Sequence, residues 1–216
     1  MIKSIFVRLA FGVVIICAAL FAGCGDNGVN NGMGGGGLQF NPYISYGSLV
    51  DSRDGQSYRT VRIGDRIWMA ENLNYETSNS WCYGNSDFYC ATYGRLYYGY
   101  AALGACPLGW RLPSDVDWDD LVLAAGGFEV AGERLKSQIG WNDSGNGTDE
   151  FGFSALPGGY GRSCRRAFIG AGWAGFWWSA TKLGVWIMGF DYNGMEINYI
   201  GEHAGLSVRC VQDRRH

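Results

Sequence analysis

The stretch Asn142-Asp143-Ser144-Gly145-Asn146-Gly147-Thr148-Asp149-Glu150 gathers side-chain oxygens in a glycine-punctuated run. Calcium takes six to eight oxygen ligands from loops of this kind. Asn142, Ser144 and Asn146 at alternate positions before Gly147, with charge from Asp149 and Glu150, match the front half of a calcium loop. The distant bidentate Glu of an EF-hand is missing, so that motif is rejected. The same composition also makes a solvated Asn/Gly turn. Calcium is thus one reading of this loop and a plain turn the other; no other cofactor is expected.

A second chemistry lies in the aromatic residues Tyr160, Trp173, Phe176, Trp177, Trp178, Trp186 and Tyr192. Exposed flat rings stack on sugar faces, whereas buried ones fill a core. Side chains alternate along a strand, so Trp177 and Trp178 are expected on opposite sides, one in the core and one open to a different fate. Trp173 and Tyr160 stand in loop-like sequence and are expected at the surface. With Trp178 and Trp141 they form the candidate binding set for a polysaccharide.

Enzymatic constellations are sparse. His203 and His216 are the two histidines, and no Ser/His/Asp set is visible. Asp149 and Glu150 are adjacent, which does not give the two-sided geometry of glycoside hydrolysis. The chain is therefore expected to be no enzyme. A net charge of -3 lacks the basic stripe that nucleic acid calls for, so no nucleic-acid partner is expected.

These groups must be carried by one exported domain. Residues 1–23 have Lys3 and Arg8 before the apolar run 9–20, the pattern of a signal peptide. Leu20-Phe21-Ala22-Gly23-Cys24 resembles a bacterial lipobox, with Phe21 departing from the usual Leu. Cys24 is the expected lipidation site, giving a membrane contact through an N-terminal lipid and a place in the cell envelope, facing the periplasm or exterior. Residues 24–48 read as a Gly/Asn-rich linker, with 38–48 transitional into a first strand, and 49–213 as the domain. Of seven cysteines, Cys82, Cys90, Cys106, Cys164 and Cys210 fall in the domain, and no Cys-x-x-Cys pair occurs, so disulfides are expected.

Thirty-five glycines and 15% aromatic residues favour short strands and tight turns. Strands are expected at 58–63 and 66–70, joined by Gly64-Asp65, and at 110–112, 176–180, 185–191, 195–200 and 206–211. Asn193-Gly194 is a hairpin signal between two of them. Ser114 fits an N-cap with Asp117 as its capping-box partner. Trp118, Leu121, Val122 and Ala125 then make one apolar helical face, and Gly126-Gly127 stops it. A short first helix, interrupted by Gly99, is expected within 94–105, and a helical turn within 132–139. Residues 81–90 read as a polar excursion, and 141–175 largely as irregular loop.

The run Cys106-Pro107-Leu108-Gly109-Trp110-Arg111-Leu112-Pro113-Ser114-Asp115, then Trp118, resembles the signature of the Fibrobacter succinogenes major paralogous domain. Five further stretches agree with that family. They are Gly64-Asp65-Arg66-Ile67-Trp68-Met69-Ala70-Glu71-Asn72-Leu73-Asn74-Tyr75, Tyr93-Gly94-Arg95-Leu96-Tyr97, the run 147–159, Trp177-Trp178-Ser179-Ala180-Thr181, and Ser207-Val208-Arg209-Cys210-Val211.

The resemblance implies an α+β, C-type-lectin-like fold: small antiparallel sheets flanked by two helices, with a long irregular loop region that carries binding. It implies a bridge from the first helix to the terminal strand, here Cys106 to Cys210. Cys82 and Cys90, flanking one excursion, are then the natural second pair, leaving Cys164 single in a basic loop. The related formylglycine-generating proteins use a C-terminal pair of cysteines, whereas Cys210 stands alone here. The resulting expectation is a non-catalytic surface lipoprotein that binds polysaccharide. The alternatives are an attachment module for an envelope or slime-layer protein, and a divergent enzyme.

Overall fold

A computed structural model describes residues 39–162 and 167–213. The expected signal peptide, Cys24, most of the linker and Cys164 lie outside the described residues.

In chain order the strands are β1 (Gly47–Val50), β2 (Ser57–Ile63), β3 (Arg66–Met69), β4 (Ser80–Trp81), β5 (Leu96–Tyr97), β6 (Trp110–Arg111), β7 (Gly158–Arg162), β8 (Ala167–Ala171), β9 (Ala174–Trp178), β10 (Val185–Gly189), β11 (Glu196–Asn198), β12 (Ala204–Ser207) and β13 (Val211–Gln212). The helices are α1 (Asp87–Tyr93), α2 (Gly99–Leu103), α3 (Asp115–Ala124) and α4 (Ala131–Leu135). One sheet has the order β1-β2-β3-β13-β6. The other runs β11-β10-β9-β7-β12-β5-β4, with β8 added on β7. The architecture is α+β, with two sheets and a few short helices.

The local signals act as expected where they are dense. Ile63 pairs with Arg66 across Gly64-Asp65, and Gly64 takes the positive φ that such a tight hairpin needs. At α3, Ser114 Oγ accepts from the Asp117 N–H while the Ser114 N–H donates to the Asp117 carboxylate, a complete capping box. Trp118, Leu121, Val122 and Ala125 are all buried. The N–H groups of Gly126 and Gly127 donate to Leu123 and Val122, which closes the helix in a Schellman motif.

Asp117 does more than cap. Its carboxylate receives Arg111 Nη1 and Nη2 at 2.6 and 2.9 Å and Arg66 Nη2 at 2.9 Å, which ties α3 to β6 and β3. Burial alone would raise this carboxyl; the hydrogen bonds from Arg111 and Ser114 outweigh burial and hold it at about 2.

Two cores lie on either side of the large sheet. One contains Trp68, Trp118, Trp177 and Trp186; the other contains Tyr97, Trp178, Leu206 and Val208. β9 is flanked by strands on both edges and covered on both faces. Its alternation therefore sends Trp177 into one core and Trp178 into the other.

Several elements differ from the sequence expectation. The excursion at 81–90 contains the first part of α1, a short helix that buries Cys90 and Tyr93. Gly99 begins α2 instead of interrupting a helix, because 96–97 pair with β12 as a strand. Much of the expected loop after Tyr160 is the β7–β8 hairpin and the start of β9, whose glycine-rich sequences carry little β-propensity to read. The run 206–211 splits into β12 and β13, which belong to different sheets. Asn193-Gly194 does not form a two-residue turn: β10 and β11 are joined by residues 190–195. The Asn193 carbonyl instead accepts from the Glu133 N–H in α4.

Both expected disulfides form, Cys106–Cys210 with Cα atoms 5.9 Å apart and Cys82–Cys90 with 4.9 Å. They close loops with sequence separations of 104 and 8. In the chain-entropy model these are worth about 5 and about 2.5 kcal/mol. Replacing Cys106 and Cys210 by Ala should therefore lower the urea midpoint far more than replacing Cys82 and Cys90. Equal losses would show that loop length does not set the contribution.

Candidate functional site

Three loops meet beside the β9–β10 end of the large sheet. The first is the turn at 142–145, where the Gly145 N–H donates to the Asn142 carbonyl at 2.8 Å. Asp143 and Ser144 at its centre are exposed, and both hold a positive φ, at 47° and 64°. Non-glycine residues adopt that region only where the surroundings enforce it. The second loop is the β8–β9 turn, which carries Trp173. The third is 190–195, which carries Phe190 and Asp191.

The loops are interlocked. The Asn142 N–H donates to the Gly172 carbonyl, and the Asn142 side chain lies so close over Gly172 that a Cβ there would sit 2.7 Å from Nδ2. At the other end of the turn, Gly145 packs onto Phe190 with no room for a side chain. The Phe190 N–H donates to the Trp173 carbonyl, and the two rings meet edge to face with centroids 4.7 Å apart. Trp173 remains 39% exposed. The result is a partly exposed indole held by Phe190, on a loop braced by the 142–145 turn through Asn142 and Gly145.

Lys136 fastens the assembly from beneath. It is 1% exposed, follows directly after α4, and donates from Nζ to the carbonyls of Gly189 and Tyr192 at 3.0 and 3.1 Å. Its ammonium also lies 5.1 Å from the Trp141 ring centroid. Burial lowers its pKa. One cation thus pins both ends of the segment that supports Trp173. Nothing in the local sequence signals this role, because the carbonyls it satisfies come from more than fifty residues away.

Of the candidate binding residues, Trp173 alone offers a face to solvent. Tyr160 is 6% exposed and packs edge-on against Phe176 within β7. Trp178 is fully buried and donates Nε1 to the Tyr97 carbonyl. Trp141 is buried and donates Nε1 to the Ala155 carbonyl. These three rings are core, because the glycine-rich strands around them leave volume that large side chains must fill.

The expected calcium ligands do not converge either. Asn146 Oδ1 accepts from the Trp141 N–H, and Glu150 turns outward to Arg134 at 3.4 Å. Asn142 covers Gly172, and Ser144 stands exposed on its turn. Asp149 points inward, with its carboxylate accepting from Ser154 N and Oγ, each at 2.7 Å. Among the described residues no group of three or more His, Cys, Asp or Glu is placed to hold a metal ion. Asn146, Asp149 and Glu150 are thus engaged by Trp141, Ser154 and Arg134.

The buried position of Asp149 has a measurable consequence. Burial pushes its carboxyl up to about 6, against 3.8 for an ordinary aspartate; the hydrogen bonds from Ser154 offset only part of that. The folded state therefore holds this proton more tightly than the unfolded chain. The associated stability is fully present below about pH 4 and is lost as pH rises through about 6, a change on the order of 2–3 kcal/mol. Asp149→Asn should flatten the stability profile across that window, as read by urea denaturation at several pH values. A variant that kept the wild-type slope would assign the slope to another group.

No curated protein and no solved structure matches the chain. The family model of the Fibrobacter succinogenes major domain matches residues 61–212, which run from the end of β2 through α3 and the three loops to β13. The chain belongs to the Fibrobacter succinogenes major domain family.

Proposed function

We propose that this is an exported, non-catalytic binding domain that attaches to polysaccharide through the Trp173 surface. The observation that carries the reading is the indole of Trp173, 39% exposed and held in an edge-to-face pair with Phe190 on a loop that the exposed Asp143–Ser144 turn braces. An apolar ring face stacks on the C–H face of a sugar, while neighbouring carboxylate and hydroxyl groups meet its hydroxyls. Because Lys136 and the interlocked loops hold the surface in place, little ordering cost falls on binding. The two-sheet α+β architecture, with the terminal strand inside the first sheet, is in keeping with a C-type-lectin-like fold. The disulfides are in keeping with an oxidising compartment outside the cytoplasm. No helix among the described residues is long and apolar enough to cross a membrane. In our reading a lipid on Cys24 supplies the attachment.

Sedimentation with insoluble polysaccharides tests the binding surface. Trp173→Ala should weaken retention by about tenfold or more, with the fold retained as read by circular dichroism. Undiminished retention, or binding only to an envelope protein, would remove the glycan reading. For the anchor, mass spectrometry of the membrane fraction should find Cys24 as an acylated N-terminus. An unmodified Cys24, or cleavage at another residue, would rule the anchor out.

A further inference from the structure

Residues 39–46 lead into β1 and lie before the span that the family model matches. They are held against the turn 149–154. Asn41, 8% exposed, donates Nδ2 to the Asp149 carbonyl at 2.8 Å. Its Oδ1 accepts from the Tyr43 N–H and its carbonyl from the Ile44 N–H, so the segment folds around this residue. Ile44 and Tyr46 close on Gly152, where a Cβ would stand 2.7 Å from Ile44 Cγ2 and from Tyr46 Oη. Phe40, Ile44 and Tyr46 rest on the core that contains Trp68 and Trp118, yet all three stay half-buried. The segment is thus docked from outside, onto a surface that the rest of the domain supplies.

That surface contains a carboxyl with no counter-charge. Asp149 is fully buried, and its oxygens accept from Ser154 N and Oγ, which are neutral. Arg209 acts on it through space without pairing, and Tyr46 is the titratable group that the segment brings to it. Arg59 of β2 lies over the rings of Phe40 and Tyr46, at 4.0 and 5.7 Å, and its N–H donates to Glu71. Tyr46 and Arg209 keep their protons to well above neutral pH, whereas burial brings Asp149 up to about 6. An ionised carboxylate in such a closed site forgoes the water that would solvate it once uncovered.

We propose that residues 39–46 form a latch governed by the Asp149 carboxyl, docked in acid and released as the pH rises. Docking encloses the carboxyl, so the docked state holds the proton more tightly than the released state, in which water reaches it. By linkage, docking is strongest below about pH 4 and weakens as the pH rises through about 6. Release would add up to about 27 Å of extended chain between the domain and what precedes it. With the N-terminus attached through Cys24, the latch keeps the domain close to its anchor in acid and lets it range further in neutral surroundings. That consequence rests on the lipid anchor; the latch itself does not, and it stands whatever Trp173 binds.

Native-state hydrogen exchange tests the latch. Between pH 5 and pH 7.5 the Ile44 amide should lose protection by about tenfold beyond the change in intrinsic rate. The opening responsible should depend on urea far less than that of the Met69 and Leu73 amides, which donate to the Cys210 and Val208 carbonyls. Asp149→Asn should remove the pH dependence at Ile44. Asn41→Ala, which loosens the segment, should lower the titration midpoint of the Asp149 carboxyl, followed in ¹³C spectra, from about 6 towards that of an ordinary aspartate. Unchanged protection at Ile44 across this range would overturn the proposal, as would a loss with the urea dependence of Met69 and Leu73. So would a pH dependence that survives Asp149→Asn, or an Asp149 midpoint that Asn41→Ala leaves in place.

Discussion

The side-chain oxygen of Asn72 is the point on which the two halves of this domain depend. It accepts from Trp177 Nε1 at 2.8 Å and from Arg209 Nε and Nη2 at 3.0 and 2.8 Å. Its amide nitrogen donates to the Tyr93 carbonyl. Arg209 is fully buried, reaches the carbonyls of Phe153 and Met69, and lies 4.5 Å from the Phe153 ring centroid. No carboxylate lies within ion-pair distance of it among the described residues, and burial lowers its pKa. The charge is spread over neutral acceptors instead, so losing any one of them leaves a buried cation short of a partner. A single residue just after β3 thus joins the end of α1, the middle of β9 and the segment before β13.

Residues that carry the family resemblance are found in this interior. Asn72, Trp177, Phe153 and Arg209 come from four of the matching stretches; Arg66 shares the first of these, and Arg111 comes from a fifth and binds Asp117. Their side chains hold elements together, and all but the half-exposed Arg111 turn away from solvent. Trp173, Phe190, Asp143 and Ser144 stand on loops set upon that frame. The resemblance therefore speaks to how the chain folds, and the loops speak to what it touches.

What was legible in the sequence follows the range of each signal. The α3 cap and stop and the β2–β3 hairpin rest on residues a few positions apart, and they were readable. The large-sheet strands were readable where β-branched and aromatic residues cluster, and lost where β7 and β8 are mostly small residues. Tyr160 and Trp141 were misplaced because a lone aromatic residue has no periodicity to reveal its face, and Trp178 because alternation separates it from Trp177 without telling that both faces of β9 are covered. Trp173 was placed at the surface by its turn-like neighbours. Lys136 and Arg209 had no local mark at all: a buried cation is recognisable only from the distant carbonyls that receive it.

The position of β13 bears on how the chain becomes a domain. Val211 pairs with Trp68 on one side and with Arg111 on the other, so the most C-terminal strand fills the middle of a sheet whose other members come much earlier. A chain emerging amino end first cannot complete that sheet until β13 has followed the other four strands out. Cys210 arrives equally late, so the long staple closes after the frame is otherwise laid out. Folding of this kind rests on contacts between residues far apart in sequence, which are slow to find. The first sheet therefore stays open until β13 is available, and it locks only then.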